Sequence, residues 1–282
     1  MPGTLFVVAT PIGNLDDISV RALRVLREAA IIAAEDTRRT ARLLTRYGIT
    51  TKTTSLHEHN EHQKAAALVA RLTRGDAVAL VSDAGTPGVS DPGQHLIRQA
   101  IEAGIRVEAI PGPSAVLAAL SASGLPNDRF TFLGFPPTRS KDRSIWFNDL
   151  KSAGHTVVFF EAPHRAIITL QELLTEVGDL TVAVGRELTK AHEEWVRGPI
   201  SAVLGRISPP LGEFTVVVDV GHMADIDRPN IPDDNRLALE LGELTESTRF
   251  TRRQAISELA RRHRLPPNRV YAAVERAKKL AE

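Results

Sequence analysis

Residues 78–93 read Val78-Ala79-Leu80-Val81-Ser82-Asp83-Ala84-Gly85-Thr86-Pro87-Gly88-Val89-Ser90-Asp91-Pro92-Gly93. The first four residues form a continuous apolar run, which is typical of a strand covered on both faces in a parallel sheet. The loop after it combines glycines, prolines, aspartates and small hydroxyl side chains. Open α/β sheets bind ligands at the carboxyl ends of their strands, and glycine lets a ligand approach the backbone. The stretch therefore predicts a buried strand and a ligand-binding loop, although a long connection stiffened by proline and glycine is the simpler alternative.

Similar apolar runs occur at residues 5–9, 156–160 and 214–218. Segments with helical periodicity lie between them. Ser19 is placed as an N-cap for the first of these helices, and Asn60 with Gln63 resembles a capping box for a later one. Strands that alternate with helices indicate an open α/β architecture.

The alternating pattern occurs twice, and a helical segment follows it. We expect an N-terminal α/β domain at residues 1–124 and a second α/β domain at 125–222. A linker is expected at 223–232, where Asp and Pro are frequent, and a basic helical domain at 233–282.

The composition narrows the class of protein. The chain has 282 residues, of which 43% are apolar and 24% charged, and these fractions exclude wholesale disorder. It has no cysteine, which excludes disulfides, zinc ribbons, iron–sulfur clusters and cysteine nucleophiles. No apolar run approaches the roughly 20 residues that span a bilayer, and the N-terminus lacks the basic start of a signal peptide. We therefore expect a cytoplasmic protein with no membrane partner.

The charge is unevenly distributed. The formal net charge is +1, yet residues 249–282 hold ten Lys or Arg against three acids. This basic tail makes a polyanion the first partner to consider. Two helices around the turn at residues 263–266 suggest a helix-turn-helix unit, whose outer arginines fit phosphate contacts. A basic helical hairpin used for dimer contacts, or a non-catalytic DNA-binding regulator, remains an alternative.

Several common catalytic motifs are missing. Residues 10–15 do not match G-x-G-x-x-G, no P-loop occurs, and residues 112–116 fail the G-x-S-x-G pattern of serine hydrolases. The run His57-Glu58-His59-Asn60-Glu61-His62 does not have H-E-x-x-H spacing, so we expect a polar cluster there and no metal site.

A second loop, residues 111–115, follows a predicted strand and opens a helix whose N–H groups would face a ligand. We expect it to share one cavity with the 82–93 loop. Charged residues follow other predicted strands: Glu35 and Asp36, then Glu161, then Lys190. Each of these also has an ordinary interpretation as a helix cap or a surface ion pair.

Taken together, these loops resemble the tetrapyrrole (corrin/porphyrin) methylase superfamily, and within it the branch that methylates ribosomal RNA. The resemblance covers residues 4–222 and rests on six segments in the same order: 10–15, 34–38, 55–61, 82–88, 110–115 and 160–165.

The resemblance implies two α/β domains with S-adenosylmethionine in the cleft between them. It implies 2′-O-methylation of a cytidine ribose in the decoding region of 16S ribosomal RNA, with the small ribosomal subunit as partner, and a homodimer. The alternative is a methylase of a tetrapyrrole precursor, for which the basic tail would have no use.

The resemblance also implies which residues bind the cofactor, whereas the RNA-binding and catalytic candidates follow from charged side chains at strand ends and in the basic tail. The expected cofactor residues are Pro11, Asp83, Ala84, Gly85, Thr86, Pro113, Ser114, Ala115, Phe160 and Glu161. The expected RNA-binding residues are Arg38, Arg165, Arg252, Arg253, Arg261, Arg262 and Arg264. The catalytic candidates are Glu35 and Asp36, as the group that takes the hydroxyl proton, and Lys190, which would stabilise the developing oxyanion.

Overall fold

The computed structural model describes residues 2–207, 211–221, 234–247, 250–263 and 266–281. The chain divides into two compact units, Met1–Asp219 and Val220–Glu282. The first unit contains both sheets, and the second is helical. The expected linker at 223–232 lies outside the described residues, and the expected boundary near residue 124 stays a prediction.

The first sheet has five parallel strands in the order β3-β2-β4-β1-β5. They are β1 (Thr4–Val8), β2 (Ile31–Ala34), β3 (Thr53–Ser55), β4 (Val78–Val81) and β5 (Arg106–Ile110). The helices that accompany them are α1 (Val20–Glu28), α2 (Thr37–Arg46), α3 (Glu61–Thr73), α4 (Gln94–Glu102) and α5 (Ala115–Ser123). The predicted parallel α/β architecture is confirmed, with β4 in the centre of the sheet.

Of the two predicted helix N-caps, the structure confirms one and contradicts the other. Ser19 caps α1, since its hydroxyl accepts the N–H of Ala22 at 3.1 Å. The capping box predicted at Asn60 is wrong, because the Asn60 side chain makes no cap hydrogen bond to α3. Its Oδ1 accepts the N–H of His57 at 2.9 Å and closes a turn before the helix.

Two apolar layers cover the two faces of the first sheet. One contains Leu26, Ile32 and Val81, and the other contains Leu68 and Leu96, all fully or almost fully buried. Burying a leucine or isoleucine side chain stabilises a fold by about 1.5–3 kcal/mol. The residues of β4 alternate between the two layers, which is why its sequence is apolar without a break.

The second sheet is mixed, with the order β6-β7-β10-β8-β9. Its strands are β6 (Phe130–Phe132), β7 (Thr156–Glu161), β8 (Thr181–Arg186), β9 (Glu194–Pro199) and β10 (Phe214–Val218), and its helices are α6 (Ser140–Ser152), α7 (Pro163–Val177) and α8 (Ile200–Leu204). The β6–β7 pair is parallel, and β10 runs antiparallel to β7 and β8. The apolar runs in the sequence thus predicted which segments are buried strands, but not whether neighbouring strands are parallel or antiparallel. The loop at 187–193 is too short for the crossover that a parallel β8–β9 pair needs.

Helix α5 joins the two sheets. It follows β5 of the first sheet, yet its buried residues Ala119 and Leu120 pack against Val158 and Val217 of the second. Ile12, from the loop after β1, belongs to the same apolar cluster. The two sheets therefore share a core.

The C-terminal unit has its own core. Its main helices are α9 (Asp234–Ser247), α10 (Arg252–Arg262) and α11 (Pro267–Ala281). Leu241, Leu259 and Val270 are buried among them. Thr251 starts α10 with a capping box to Gln254. The predicted pair of basic helices is thus present. None of the helices in the described ranges is both long and apolar enough to cross a lipid bilayer.

Candidate functional site

A cavity of about 410 Å³ lies at the carboxyl ends of the strands of the first sheet and extends to the second sheet. This volume is within the range of about 300–1,000 Å³ that is usual for small-molecule sites. Its walls come from the segments that follow β1, β2, β4 and β5, together with Phe135, residues 160–163, Leu188 and residues 213–215. The cavity therefore occupies the place where open α/β sheets bind ligands.

Backbone hydrogen bonds tie the three loops of the first sheet together. Thr10 and Gly85 exchange two backbone bonds, of 2.8 and 3.0 Å. The hydroxyl of Thr86 donates to the carbonyl of Pro113 at 3.4 Å. Gly85 has a φ of +76°, a conformation that glycine adopts without strain. The loops at 82–93 and 111–115 thus border one cavity, with main chain close to it.

The second sheet approaches the loop after β1 very closely. A Cβ on Gly13 would lie 2.5 Å from Cγ of Lys190 and 2.7 Å from Oγ1 of Thr189. The same Oγ1 accepts the N–H of Asn14 at 2.9 Å. Glycine at residue 13 is needed for this contact, which fixes one side of the cavity.

Five carboxylates line the cavity: Glu35, Asp83, Asp91, Glu161 and Glu213. Glu35 accepts the N–H of Asp83 at 3.1 Å, and Asp83 accepts the N–H of Asp36 at 2.9 Å. Arg39 also lines the cavity, and its guanidinium lies 3.3 Å from Asp83. The cavity is therefore acidic, and Arg39 partly compensates its charge.

Burial changes the acidity of two of these groups. It raises the pKa of Glu35 above its usual value, although the hydrogen bond from the Asp83 backbone opposes the change. It also raises the pKa of Asp91 to about 6, against a hydrogen bond from Ser82, and the nearby charges of Glu35 and Asp83 add to the rise. A carboxyl with a pKa near neutrality can accept a proton at physiological pH.

Glu161 is held differently. Its side chain is 1% exposed, pairs with Arg165 at 3.0 Å and accepts the N–H of Ala162 at 2.8 Å. The hydroxyl of Thr169 also donates to it. With its oxygens occupied in this way, Glu161 fixes the turn between β7 and α7.

Most of the expected cofactor residues line the cavity, namely Asp83, Ala84, Gly85, Thr86, Ser114, Ala115, Phe160 and Glu161. Pro11 and Pro113 are not among the lining residues. Ser114 also caps α5, because its hydroxyl accepts the N–H of Leu117. The structure thus gathers eight of the ten residues around one space.

The structure places the three catalytic candidates in different surroundings. Glu35 lines the cavity, whereas Asp36 and Lys190 do not. Asp36 caps α2 and is paired with Arg38 at 2.8 Å, and hydrogen bonds from Arg38 hold its pKa far below the usual range. Lys190 lies 2.9 Å from Glu187 and 3.1 Å from Glu213. Burial opposes the charge of Lys190, but these hydrogen bonds outweigh it and raise its pKa.

The expected RNA-binding arginines differ in their surroundings. Arg38 is 90% exposed, but Arg165 turns inward to Glu161 and to the carbonyl of Pro136. In the C-terminal unit Arg252 pairs with Glu275, Arg261 with Glu258, and Arg262 lies 4.0 Å from Glu240. Arg253 is exposed and forms no ion pair within the described residues. Arg264 lies outside the described residues.

Sequence reasoning missed several residues of the cavity. They are Arg39, which follows the predicted Arg38, Asp91, which lies in the 82–93 loop, and Phe135, which belongs to a Gly-Phe-Pro-Pro turn after β6. That turn was a usable signal, because glycine and proline around an aromatic residue at a strand end favour a rigid, exposed ring.

The histidine-rich segment lies apart from the cavity lining. The rings of His62 and His95 are in contact, with centroids 4.0 Å apart and planes tilted by 48°. Glu61 accepts three backbone N–H groups at the start of α4, from Gly93, His95 and Leu96. Among the residues that the structure describes, no group of three or more His, Cys, Asp or Glu has a metal-binding arrangement.

Comparison with known proteins matches residues 4–204 to a family described as Tetrapyrrole (Corrin/Porphyrin) Methylases. A relative from Synechocystis sp. named Ribosomal RNA small subunit methyltransferase I is 44% identical over 272 residues, which is 95% of this chain and 96% of the relative. A relative of the same name from Mesorhizobium japonicum is 48% identical and covers 84% of this chain and 81% of its own. Another from Thermotoga maritima is 44% identical, and 98% of it matches 77% of this chain.

Solved structures show the same fold at low identity. Diphthine synthase is similar with a TM-score of 0.62 and 20% identity, covering 77% of this chain and 90% of that one. Uroporphyrin-III C-methyltransferase from Thermus thermophilus, complexed with S-adenyl homocysteine, gives a TM-score of 0.56 at 18% identity, covering 78% of this chain and all of that one. The two-sheet fold of this chain is therefore shared with both of these structures.

Proposed function

The chain belongs to the tetrapyrrole (corrin/porphyrin) methylase family, and from this premise we propose that it methylates the small-subunit ribosomal RNA. The proposed reaction transfers a methyl group from S-adenosylmethionine to the ribose 2′-hydroxyl of a cytidine in the decoding region. The observation that carries the proposal is the 44% identity to a ribosomal RNA small subunit methyltransferase I over 95% of this chain.

The methyl donor is S-adenosylmethionine, and the cavity fits it. The donor supplies a methyl group already activated on a sulfonium, so the protein needs to hold and orient it and to take up the hydroxyl proton. The carboxylates of Glu35 and Asp83 favour a cationic ligand. Ile12, Val116 and Phe160 provide apolar contact, and Gly85, which has no side chain, lines the cavity, so a ligand can approach the main chain closely.

Residues of this chain have distinct tasks in the proposed reaction. Glu35 accepts a hydrogen bond from the backbone N–H of Asp83 and so fixes the start of the 82–93 loop. Arg39 compensates Asp83 and orients it. Glu35 is also a candidate for taking the hydroxyl proton, since burial raises its pKa. Lys190, held by two carboxylates, is better placed to fix the contact with Gly13 than to meet an oxyanion.

The C-terminal unit is the proposed site of RNA contact. Exposed arginines such as Arg253 suit phosphate groups. The family match at residues 4–204 lies within the two-sheet unit, which supports placing the chemistry there and an accessory role in the remainder. A ribosomal substrate would place the protein in the cytoplasm. Assembly as a homodimer stays a prediction, which sedimentation velocity would check.

The decisive experiment is transfer of labelled methyl from S-adenosylmethionine to small subunits that lack the modification, followed by mapping of the labelled nucleoside. We expect a single 2′-O-methylcytidine. A porphyrinogen substrate run in parallel tests the tetrapyrrole alternative. Labelling of the porphyrinogen in place of the subunits would overturn the proposal.

A matched pair of variants tests whether the cavity is the donor site. Ala115 lines the cavity at the first residue of α5, and Ala115→Leu would fill part of it while preserving helix propensity. Leu117→Ala, on an exposed residue of the same helix, is the control. Calorimetry with S-adenosylhomocysteine is expected to show at least tenfold weaker binding for Ala115→Leu alone. Equal binding by both variants would place the donor elsewhere.

A further inference from the structure

The carboxyl group of Asp91 stands apart from the other four carboxylates of the cavity. Glu161 is hydrogen bonded on both oxygens and paired with Arg165. Asp83 is paired with Arg39, and Glu213 with Lys190. Glu35 forms no ion pair within the described ranges, but the charge of Arg39 acts on it and its Oε2 accepts the N–H of Asp83. Asp91 forms no ion pair with any arginine or lysine of the described ranges. It is therefore the cavity carboxylate with the weakest compensation by positive charge.

The backbone on both sides of Asp91 is tightly fixed. Ser90 has a φ of +61°, which is unusual for a residue with a side chain and costs free energy. Gly93 has a φ of +124°, and a Cβ there would lie 2.7 Å from the Leu80 side chain. The N–H of Gly93 is also bound by Glu61. These contacts over-determine the path of residues 90–93 and so hold Asp91 at the cavity wall.

An exposed aromatic ring lies at the same end of the cavity. A Cβ on Gly134 would lie 3.5 Å from Oγ of Ser90, and the next residue, Phe135, lines the cavity while 52% exposed. Its ring packs on Phe160 with centroids 5.4 Å apart. Arg165 and Arg143 hold the following carbonyls of Pro136 and Pro137. A held, exposed ring that lines the same cavity as Asp91 suits a planar base that arrives from solution.

We propose that Asp91, and not Glu35, is the general base of the methyl transfer, with the acceptor nucleoside entering between its carboxylate and Phe135. Glu35 is the weaker candidate because its Oε2 already accepts the N–H of Asp83. This inference rests on the proposed function. In the step, the ribose oxygen forms a bond to the methyl carbon as the carbon–sulfur bond breaks, and the sulfur keeps that electron pair as a neutral thioether. The hydroxyl proton passes to a carboxylate oxygen of Asp91 and from there to solvent.

The electrostatics of the cavity agree with this role. Burial, together with the charges of Glu35 and Asp83, raises the pKa of Asp91 to about 6, against the hydrogen bond from Ser82. Arg39, Glu161 and Glu213 are the other charged groups around the cavity. A base with this pKa is ionised at neutral pH and is a stronger proton acceptor than an ordinary aspartate.

The test compares Asp91→Asn with Asp128→Asn, which removes an exposed carboxylate outside the cavity lining. Single-turnover methyl transfer is measured from pH 5 to 9 with saturating donor and small subunits. We expect the wild-type and Asp128→Asn rates to rise with a midpoint near the pKa of Asp91. Asp91→Asn is expected to be slower by about 10²–10⁴-fold, with that rise absent.

Two readouts do not depend on turnover. Calorimetry is expected to give Asp91→Asn an affinity for S-adenosylhomocysteine within threefold of wild type. Carbon-detected carboxyl titration of the ligand-free protein should show one group with a midpoint about 6 that Asp91→Asn removes.

The possible contrary results distinguish failure of this inference from failure of the proposed function. An Asp91→Asn rate within tenfold of wild type, with the same pH dependence, overturns the inference. More than tenfold loss of S-adenosylhomocysteine affinity also overturns it, because Asp91 would then bind the donor. Failure of the wild-type protein to methylate subunits defeats the proposed function, whereas active wild type with an unaffected variant defeats this inference alone.

Discussion

Nη1 of Arg39 lies 3.3 Å from Oδ2 of Asp83. Among the described residues that line the cavity, Arg39 is the one that carries a positive charge. The Asp83 side chain is 21% exposed and that of Arg39 is 63% exposed. Because Arg39 also acts on the charge of Glu35, it influences two of the five cavity carboxylates from one place on α2.

Removal of this guanidinium should make Glu35 a weaker acid. Arg39→Gln is expected to raise the pKa of Glu35 further, since burial already raises it and the attraction of Arg39 opposes that rise. Carbon-detected carboxyl titration measures the change. Arg42→Gln, an exposed arginine of the same helix, is the control and should leave the titration unchanged. Identical Glu35 titrations in both variants would contradict this electrostatic account.

The link between α3 and α4 should stabilise the end of the 82–93 loop. Glu61→Ala removes an acceptor of three N–H groups at the start of α4, and a comparable cap is worth about 1–2 kcal/mol. We expect hydrogen exchange at Gly93, His95 and Leu96 to accelerate about tenfold, as 1.4 kcal/mol of local stability corresponds to that factor. Glu58→Ala changes a nearby exposed acid and should leave exchange as it is. Unchanged exchange in Glu61→Ala would disprove the link.

The buried Glu161 should contribute far more stability than an exposed ion pair nearby. Glu161→Ala leaves Arg165 without its partner inside the fold, and breaking such a pair costs about 3–5 kcal/mol. Glu176→Ala breaks an exposed pair with Lys151, which is worth about 0–1 kcal/mol. Both tryptophans, Trp146 and Trp195, belong to the two-sheet unit. Urea unfolding followed by their fluorescence therefore measures this unit, and equal losses in the two variants would refute the prediction.

The acidity of Asp91 gives a pH dependence of stability. Its pKa in the fold is raised to about 6 from 3.8, so the folded state favours the protonated form and loses stability as pH rises through this interval. Asp91→Asn lacks the effect and should exceed wild type in free energy of unfolding by about 1–2 kcal/mol at pH 8, after allowance for solvent at this half-buried group. The gain should vanish near pH 4. Asp128→Asn should show no such trend, and a gain for Asp91→Asn that does not depend on pH would exclude this cause.

Salt dependence should reveal phosphate contacts of the C-terminal unit. Arg253→Gln is expected to weaken binding to small subunits and to lower the slope of log K against log salt by about 0.7–0.9, the value for one phosphate contact. Arg74→Gln makes the same charge change on an exposed residue of the two-sheet unit. Binding is measured by filter retention between about 50 and 200 mM KCl. An Arg253→Gln slope equal to that of wild type would exclude this arginine as a phosphate contact.

The sequence predicted strand ends well because apolar runs report burial. The apolar runs at 78–81 and 214–218 are buried strands, and the segment rich in proline and glycine that follows β4 lines the cavity. Strand direction in the second sheet was not predictable from those runs, since burial on both faces does not depend on direction. The length of the loop after β8 was the usable signal.

Side-chain direction limited the prediction of the site. The sequence analysis predicts a role for Arg38, but a helix turns 100° between neighbouring residues, and of these two arginines only Arg39 lines the cavity. Lys190 and Arg165 were placed at strand ends correctly, yet both turn toward carboxylates. Such pairing depends on partners distant in sequence, for example Glu213 for Lys190.

Helix α5 limits how the cavity can exchange its contents. Its Ala119 and Leu120 are packed with Val158 and Val217 in one cluster. Swinging the two sheets apart would expose this cluster to water, at a free-energy cost that grows with the apolar area uncovered. We therefore expect the spacing between the walls of the cavity to change little during turnover. Substrates and products would then enter and leave past the exposed ring of Phe135, without separation of the two sheets.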